Sequence, residues 1–171
     1  SKIEYLFPKA HAVAYVLSAL RIAWFKVYKP LLFYSAFFSK RATQFNYEAC
    51  IKGKDAIKEE LTKLNAISKP NPLQKAMIKF LELALEMMLR GFKFYPIDMK
   101  KSSATEFIIE ENGLRMPFIT IDLLGDVVAK EIVKARQEKP FTSLEDIKKR
   151  SSINKTTFEK MKKSEYCYWT A

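Results

Sequence analysis

The 171-residue chain holds one histidine, His11, which excludes a metal centre built from several histidines. Its two cysteines, Cys50 and Cys167, have no metal-ligand spacing and read as free thiols. Acid is scarce at one end, where Glu4 is the one acidic residue among the first 44. No Asp-x-Asp pair occurs anywhere, so the paired carboxylates that hold divalent ions for phosphoryl transfer are missing. No secretory or transit signal, internal repeat or low-complexity run is present. The chain starts at Ser1, inside a motif-bearing helical region, and is therefore expected to be an excised piece.

What is abundant is positive charge. The net charge is +11, and residues 1–44 carry seven Lys/Arg against one acid. Residues 45–100 carry ten against seven, and residues 101–171 thirteen against eleven. The excess is concentrated at the start of the chain and suits a polyanionic partner.

That basic end holds the most apolar helix expected, Phe7 to Tyr28. Pro8 suits a first helical position, because its missing N–H would have no helical partner there. From Ala10 to Leu20 there is no Gly, Pro or formally charged residue, and His11, Tyr15 and Ser18 recur at i, i+4 and i+7 on one face. By pattern alone such a helix packs in a core. Arg21 and Lys26 interrupt the run before the ~20 apolar residues that a bilayer span needs. Lys9 in the first turn opposes the helix dipole at ~0.3–1 kcal/mol, a conflict that a bound phosphate would resolve.

Further along, Leu31 to Arg41 reads as a second helix with Phe33, Phe37 and Phe38 as core. Asn46 is a cap for a third, running to about Leu64 and broken at Gly53. Asn71 and Pro72 begin a helix to Arg90, ended by Gly91, with an apolar stripe of Leu73, Met77, Phe80, Leu81, Leu85 and Met88. Residues 92–99 read as extended, and ATEFIIEENGLRMPF as a hairpin with Asn112-Gly113 in a type I′ turn. From Thr120 the pattern turns to short helices, with Thr142/Ser143 and Glu145/Asp146 shaped as a capping box.

Two turns, Leu123-Leu124-Gly125 and Ile153-Asn154-Lys155, resemble paired helix-hairpin-helix motifs, whose backbone N–H groups meet nucleic-acid phosphates. The motif usually has Gly-Leu-Gly. Here Leu123 takes the first glycine's place, Asp122 and Asp126 flank the turn, and the second turn has no glycine. Lys155, Lys160, Lys162 and Lys163 lie beside that second turn.

The block FPKAHAVAYV, followed by RIAWFKVYKP, resembles the fingers of bacterial replicative DNA polymerase III alpha subunits, in the PolC form typical of low-GC Gram-positive bacteria. IKG at 51–53, LELALEMMLRGF, SSATEFII, AKEIVKAR and FTSLEDI extend the likeness along nearly the whole chain. The resemblance implies a mostly α fold: helical rear fingers over 1–100, then a domain over 101–171 with a β-hairpin and tandem helix-hairpin-helix motifs. It implies that Lys9, His11 and Tyr15 face an incoming deoxynucleoside triphosphate. It implies that Gly125, Lys130, Lys155 and Lys160 grip duplex primer–template DNA without base preference.

The palm that carries the catalytic carboxylates and Mg in that family would lie upstream, so no catalytic residue, cofactor or metal is expected in this piece. The family's hydrophobic clamp-binding tail has no counterpart in SEYCYWTA, and the sliding clamp and other replisome subunits would be reached through the parent. The expected setting is bacterial, cytoplasmic and nucleoid-associated, with no membrane. Two other readings fit part of the chain. A stand-alone helix-hairpin-helix adaptor of repair or recombination explains 120–163 but leaves the FPKAH helix without a role. An interaction scaffold would use the aromatic helix around 31–38.

Overall fold

A computed structural model describes residues 9–163 and 167–168. The expected helix start at Phe7 and Pro8 and most of the SEYCYWTA ending lie outside them. The described residues form eight α-helices and two small sheets, the mostly α architecture expected.

The first helix, α1 (Lys9–Tyr28), gives way to α2 (Pro30–Ser39) at Lys29, whose φ of −135° and ψ of 57° leave helical geometry immediately before a proline. Then come α3 (Tyr47–Lys52) and α4 (Lys54–Asn65), separated at Gly53 with φ +102°, a backbone angle that L side chains rarely adopt. Asn46 caps α3 by accepting from the Ala49 N–H at 3.1 Å. The next helix, α5 (Pro72–Leu89), starts in a reciprocal capping box between Asn71 and Gln74.

Short strands β1 (Lys93–Tyr95), β2 (Ile97–Asp98), β3 (Ile108–Glu110) and β4 (Gly113–Arg115) follow. Helices α6 (Asp126–Glu138), α7 (Leu144–Arg150) and α8 (Lys155–Lys163) and strand β5 (Cys167–Tyr168) complete the described chain. Strand β4 lies between β1, parallel to it, and β3, antiparallel; β2 pairs with β5 in parallel. The sheet therefore joins residues from both sides of position 100.

The core centres on five buried phenylalanines from separate segments: Phe38 on α2, Phe45, Phe80 on α5, Phe94 on β1, and Phe107. Ring centroids lie 4.7 Å apart for Phe38–Phe80, 4.9 Å for Phe45–Phe80 and 5.3 Å for Phe45–Phe107, within the range of favourable aromatic pairs. Two serines of α2 bind both backbone polar groups of Phe107: Ser39 Oγ accepts its N–H at 2.9 Å, and Ser35 Oγ donates to its carbonyl at 2.6 Å. The SSATEF block is structural too. Ser102 Oγ, fully buried, accepts from the Asp98 N–H and donates to the Met116 carbonyl, and Ser103 Oγ accepts from the Thr105 and Glu106 N–H groups.

Several expectations are corrected. Helix α1 is not a core helix: none of its residues is buried, and Leu20, Ile22 and Val27 are each more than half exposed. It packs on α2, and only Lys26 among its residues is half-buried. Periodicity reports a face but not whether anything covers it. By length and composition alone α1 is long and apolar enough to cross a bilayer, a test that core helices of water-soluble proteins also pass.

On α5, Leu73 is exposed, and the buried face is Phe80, Leu81, Ala84, Met87 and Met88. On α2, Phe38 is buried as expected, Phe33 and Phe37 are half-buried, and the other fully buried ring is Tyr34. Ser143 caps α7 as expected, but Asp146 returns its bond to the Thr142 N–H, one residue earlier than a standard capping box.

The hairpin is present, but its turn is Glu111-Asn112, with Glu110 opposite Gly113. A type I′ turn needs positive φ at both central residues, and neither Asn112 nor Gly113 has it. Gly113 answers a different demand. Strand β1 passes so close that a Cβ there would overlap the Lys93 carbonyl. The turn expected at Leu123-Leu124-Gly125 is present: Leu123 adopts φ +66° and the Leu124 N–H bonds back to the Ile121 carbonyl at 3.0 Å, so helix begins only at Asp126.

Two stability outcomes follow from this backbone, both readable by urea unfolding of the 171-residue chain. Gly113→Ala should destabilise by about 1–3 kcal/mol, the usual range for forcing atoms into an occupied space. Leu123→Gly should stabilise by about 0.5–1 kcal/mol, because relief of a left-handed L residue (about 1–2 kcal/mol) exceeds the entropy that glycine adds to the unfolded chain. Wild-type midpoints for both variants would refute these assignments.

Candidate functional site

The two hairpins sit in a near-symmetric arrangement. Gly125 and Asn154 occupy equivalent places, each the residue before a helix, with carbonyls that accept from Ala129 and Phe158 respectively at 3.0 Å. Leu124 and Ile153 precede them and are both buried, anchoring each turn to a core of Ala129, Ile132, Ile147, Phe158 and Met161. The hairpins also reach across to each other's helix. Lys160, the sixth residue of α8, pairs with Asp122 of the first hairpin at 3.2 Å. Glu131, the sixth residue of α6, accepts from the Ser152 N–H of the second at 3.1 Å. Hydrogen bonds from Ser152 hold the Glu131 carboxyl below the usual range. Thr157 Oγ1 adds a 3.5 Å bond to the Leu123 carbonyl.

This geometry puts the four expected DNA-contacting residues on one double-hairpin unit, but their electrostatics differ. Gly125 is exposed, and a Cβ there would meet nothing within 4 Å, so the N-terminus of α6 is open to a close approach. Lys130 is held by Asp126 at 2.6 Å and Lys160 by Asp122, so each aspartate flanking the first hairpin is neutralised by a lysine expected to face phosphate. Lys155 is exposed, in the first turn of α8, and among the described residues it has no carboxylate partner. Asn154 Oδ1 already accepts the Thr157 N–H at 2.8 Å. Lys162 pairs with Glu145 at 3.2 Å and lies 4.8 Å over the Phe158 ring, so it is engaged in packing; the Lys163 side chain lies outside the described residues.

The other expected group lies along α1. Lys9, His11 and Tyr15 are all exposed, His11 and Tyr15 meet edge to face with ring centroids 4.5 Å apart, and Ser18 Oγ donates to the Ala14 carbonyl of its own helix. Exposed rings that share a helix face, as His11 and Tyr15 do, can stack on a base, and the Lys9 cation in the first turn can bind phosphate. Among the described residues no three His, Cys, Asp or Glu side chains converge to hold a metal ion, so no step through magnesium is assigned to this segment. Cys50 is fully buried and its thiol is pushed up by burial, which makes it an inert core residue.

The base of α1 holds residues that pattern reading missed. Pro30 has no N–H to offer the Lys26 carbonyl, its i+4 acceptor, and Arg90 at the end of α5 donates to that carbonyl instead, at 2.8 Å. Lys26 Nζ pairs with Glu86 of α5 at 2.7 Å, and the buried Tyr34 hydroxyl donates to the same carboxylate at 2.9 Å while accepting from Arg90 at 3.2 Å. Burial alone would raise the Glu86 carboxyl, but the hydrogen bonds from Lys26 and Tyr34 and the charges of Lys26 and Arg90 win and hold it below its ordinary value. The one sequence signal was Pro30 itself, which announces an acceptor in need of a donor.

Comparison with known proteins agrees with the resemblance. A family model described as "Helix-hairpin-helix motif" matches residues 91–169. The PolC-type DNA polymerase III of Thermotoga maritima is 52% identical over 161 residues, which is 94% of this chain and 12% of that protein. Those of Bacillus subtilis and Oceanobacillus iheyensis are 50% and 48% identical over 159 residues, 92% of this chain and 11% of theirs. The chain thus spans about an eighth of the length of these relatives. Over nearly all of its length, exposed α1 and double hairpin alike, this chain is similar to one segment of the PolC-type DNA polymerase III.

Proposed function

We propose that this chain works as a segment of a PolC-type replicative DNA polymerase, holding the incoming deoxynucleoside triphosphate with α1 and duplex primer–template DNA with its double hairpin. The observation that carries the reading is identity of about half over 94% of the chain, together with two hairpins in a cross-braced pair. An adaptor of repair or recombination would account for the hairpins alone and leave α1 unexplained. In this reading, reached through the family, Lys9 approaches the triphosphate, His11 and Tyr15 line its pocket, and the carboxylates and Mg that perform the transfer belong to the rest of the parent. This segment supplies position and charge.

The duplex grip is independent of base sequence, because hairpin N–H groups and lysines meet phosphates. Of the lysines, Lys155 contributes fully, whereas Lys130 and Lys160 must first give up Asp126 and Asp122. The clamp and other replisome subunits are reached through the parent.

Anisotropy titrations of the 171-residue chain with blunt duplex across a salt series test the grip. Lys155→Gln should flatten the slope of log affinity against log salt by about one phosphate contact, and Lys160→Gln by less, since Asp122 competes. Equal, unchanged slopes would remove both lysines from the interface. In the intact polymerase Lys9→Ala should lower kcat/KM for all four nucleotides by about tenfold or more, the scale of one lost charge-assisted contact, with primer–template affinity unchanged. Unaltered nucleotide kinetics would take α1 out of the pocket.

A further inference from the structure

We propose that Arg90, Glu86 and Tyr34 form a brace that fixes the direction of α1 at its base and thereby positions the nucleotide-facing end of that helix. The inference rests on the reading of α1 given above and assigns positioning roles to three residues well removed from Lys9 in sequence.

The mechanical argument starts from exposure. No residue of α1 is buried, and Lys26, in its last turn, is the one that is half-buried. A helix without a buried face takes its direction from its attachment. Here that attachment has a gap, because helical geometry fails at Lys29 and Pro30 cannot continue the hydrogen-bond ladder to the Lys26 carbonyl. A two-helix joint of this kind is free to swing unless something outside it closes the gap.

Arg90 closes it. Its guanidinium donates to the orphaned Lys26 carbonyl at 2.8 Å and to the Tyr34 hydroxyl at 3.2 Å, so one planar group ties α1, α2 and α5 together. A cation at a helix C-terminus is also on the favourable side of the helix dipole, as is Lys26 itself. Glu86 completes the circuit on the other side, accepting from Lys26 Nζ at 2.7 Å and from the Tyr34 hydroxyl at 2.9 Å. Tyr34 is fully buried and stacks toward Phe38 with ring centroids 6.1 Å apart, so the brace is rooted in the aromatic core. Lysine cannot replace Arg90 here, because a single ammonium on a flexible stem does not hold two acceptors in a fixed fork.

Length amplifies the effect. The stretch from Lys26 back to Lys9 measures about 25 Å at 1.5 Å per residue. A tilt of about 10° at the base displaces the Lys9 end by about 4 Å, and misplacement by about 1 Å costs on the order of 100-fold in rate where reacting groups must be aligned. Loosening the brace therefore acts on nucleotide use while leaving the double hairpin, and with it the duplex grip, untouched.

The test has two arms. In the 171-residue chain with Cys50 and Cys167 replaced, spin labels at positions 18 and 79 report the separation of α1 and α5. The expected result is one narrow distance distribution for the parent sequence, a broad one for Arg90→Ala, and an intermediate one for Arg90→Lys and Glu86→Gln, with duplex affinity unchanged as a control that each variant folds. In the intact polymerase that carries this segment, Arg90→Ala should lower kcat/KM for nucleotide by tenfold or more, Arg90→Lys by less, and leave primer–template affinity alone. A distance distribution that stays narrow in every variant that retains duplex binding overturns the brace. So does normal nucleotide kinetics in Arg90→Ala when Lys9→Ala is impaired. If both variants are kinetically normal while the distances broaden, the brace survives as a structural joint, but the nucleotide-facing role of α1 and the positioning role built on it are both overturned.

Discussion

Five phenylalanines carry the architecture. Phe38, Phe45, Phe80, Phe94 and Phe107 come from α2, the turn before α3, α5, β1 and the approach to β3, and each packs on at least two of the others. Burying that much aromatic area contributes several kcal/mol, since a single large apolar side chain is worth about 1.5–3 kcal/mol. The cluster also determines where polar groups must go. Phe107 can enter the core only because Ser35 and Ser39 satisfy its backbone at the edge of α2. Gly113 is required because β1, which carries Phe94, is drawn against β4. Core and sheet are one constraint.

What the cluster does not reach is informative as well. Helix α1 lies outside it, joined through Tyr34, Glu86 and Arg90. The double hairpin extends the same hydrophobic core through Ile132, Ile147 and Phe158. Between that unit and the strands, Arg136 of α6 donates to the Met99 and Ser102 carbonyls at 3.1 and 2.7 Å. Arg150 closes the C-terminus of α6 by donating to the Ala135 carbonyl and, at 2.9 Å, to the Lys139 carbonyl. Four of the six arginines, Arg90, Arg115, Arg136 and Arg150, serve backbone carbonyls, work for which a forked, permanently charged donor is suited. The lysines, four times as numerous, are left to the surface and the electrostatic field.

That division changes how the positive charge is read. A net +11 suggests a broadly attractive surface, but several lysines near the hairpins are engaged by nearby carboxylates. Exposed pairs of this kind are weak, typically 0–1 kcal/mol, so they tune a surface without locking it. Where Leu123 replaces the customary glycine, the left-handed angle persists at φ +66°. The shape of the hairpin is enforced by the burial of Ile121 and Leu124 on either side, and not by the flexibility of the residue between them.

Sequence alone determined the elements whose signals are local. The caps at Asn46, Asn71 and Ser143, the break at Gly53 and the paired turns before α6 and α8 each depend on groups three or four residues apart, so the chain states them directly. The resemblance around FPKAH, being a long ordered string, was equally legible. Tertiary structure decided the rest. Whether α1 is covered, why Gly113 must be glycine, which lysines are paired and how the Lys26 carbonyl is satisfied all turn on partners some twenty to seventy residues away, or on a neighbour's carboxylate whose rotamer the sequence does not specify. Periodicity tells which side of a helix is apolar. Only packing tells what, if anything, lies against it.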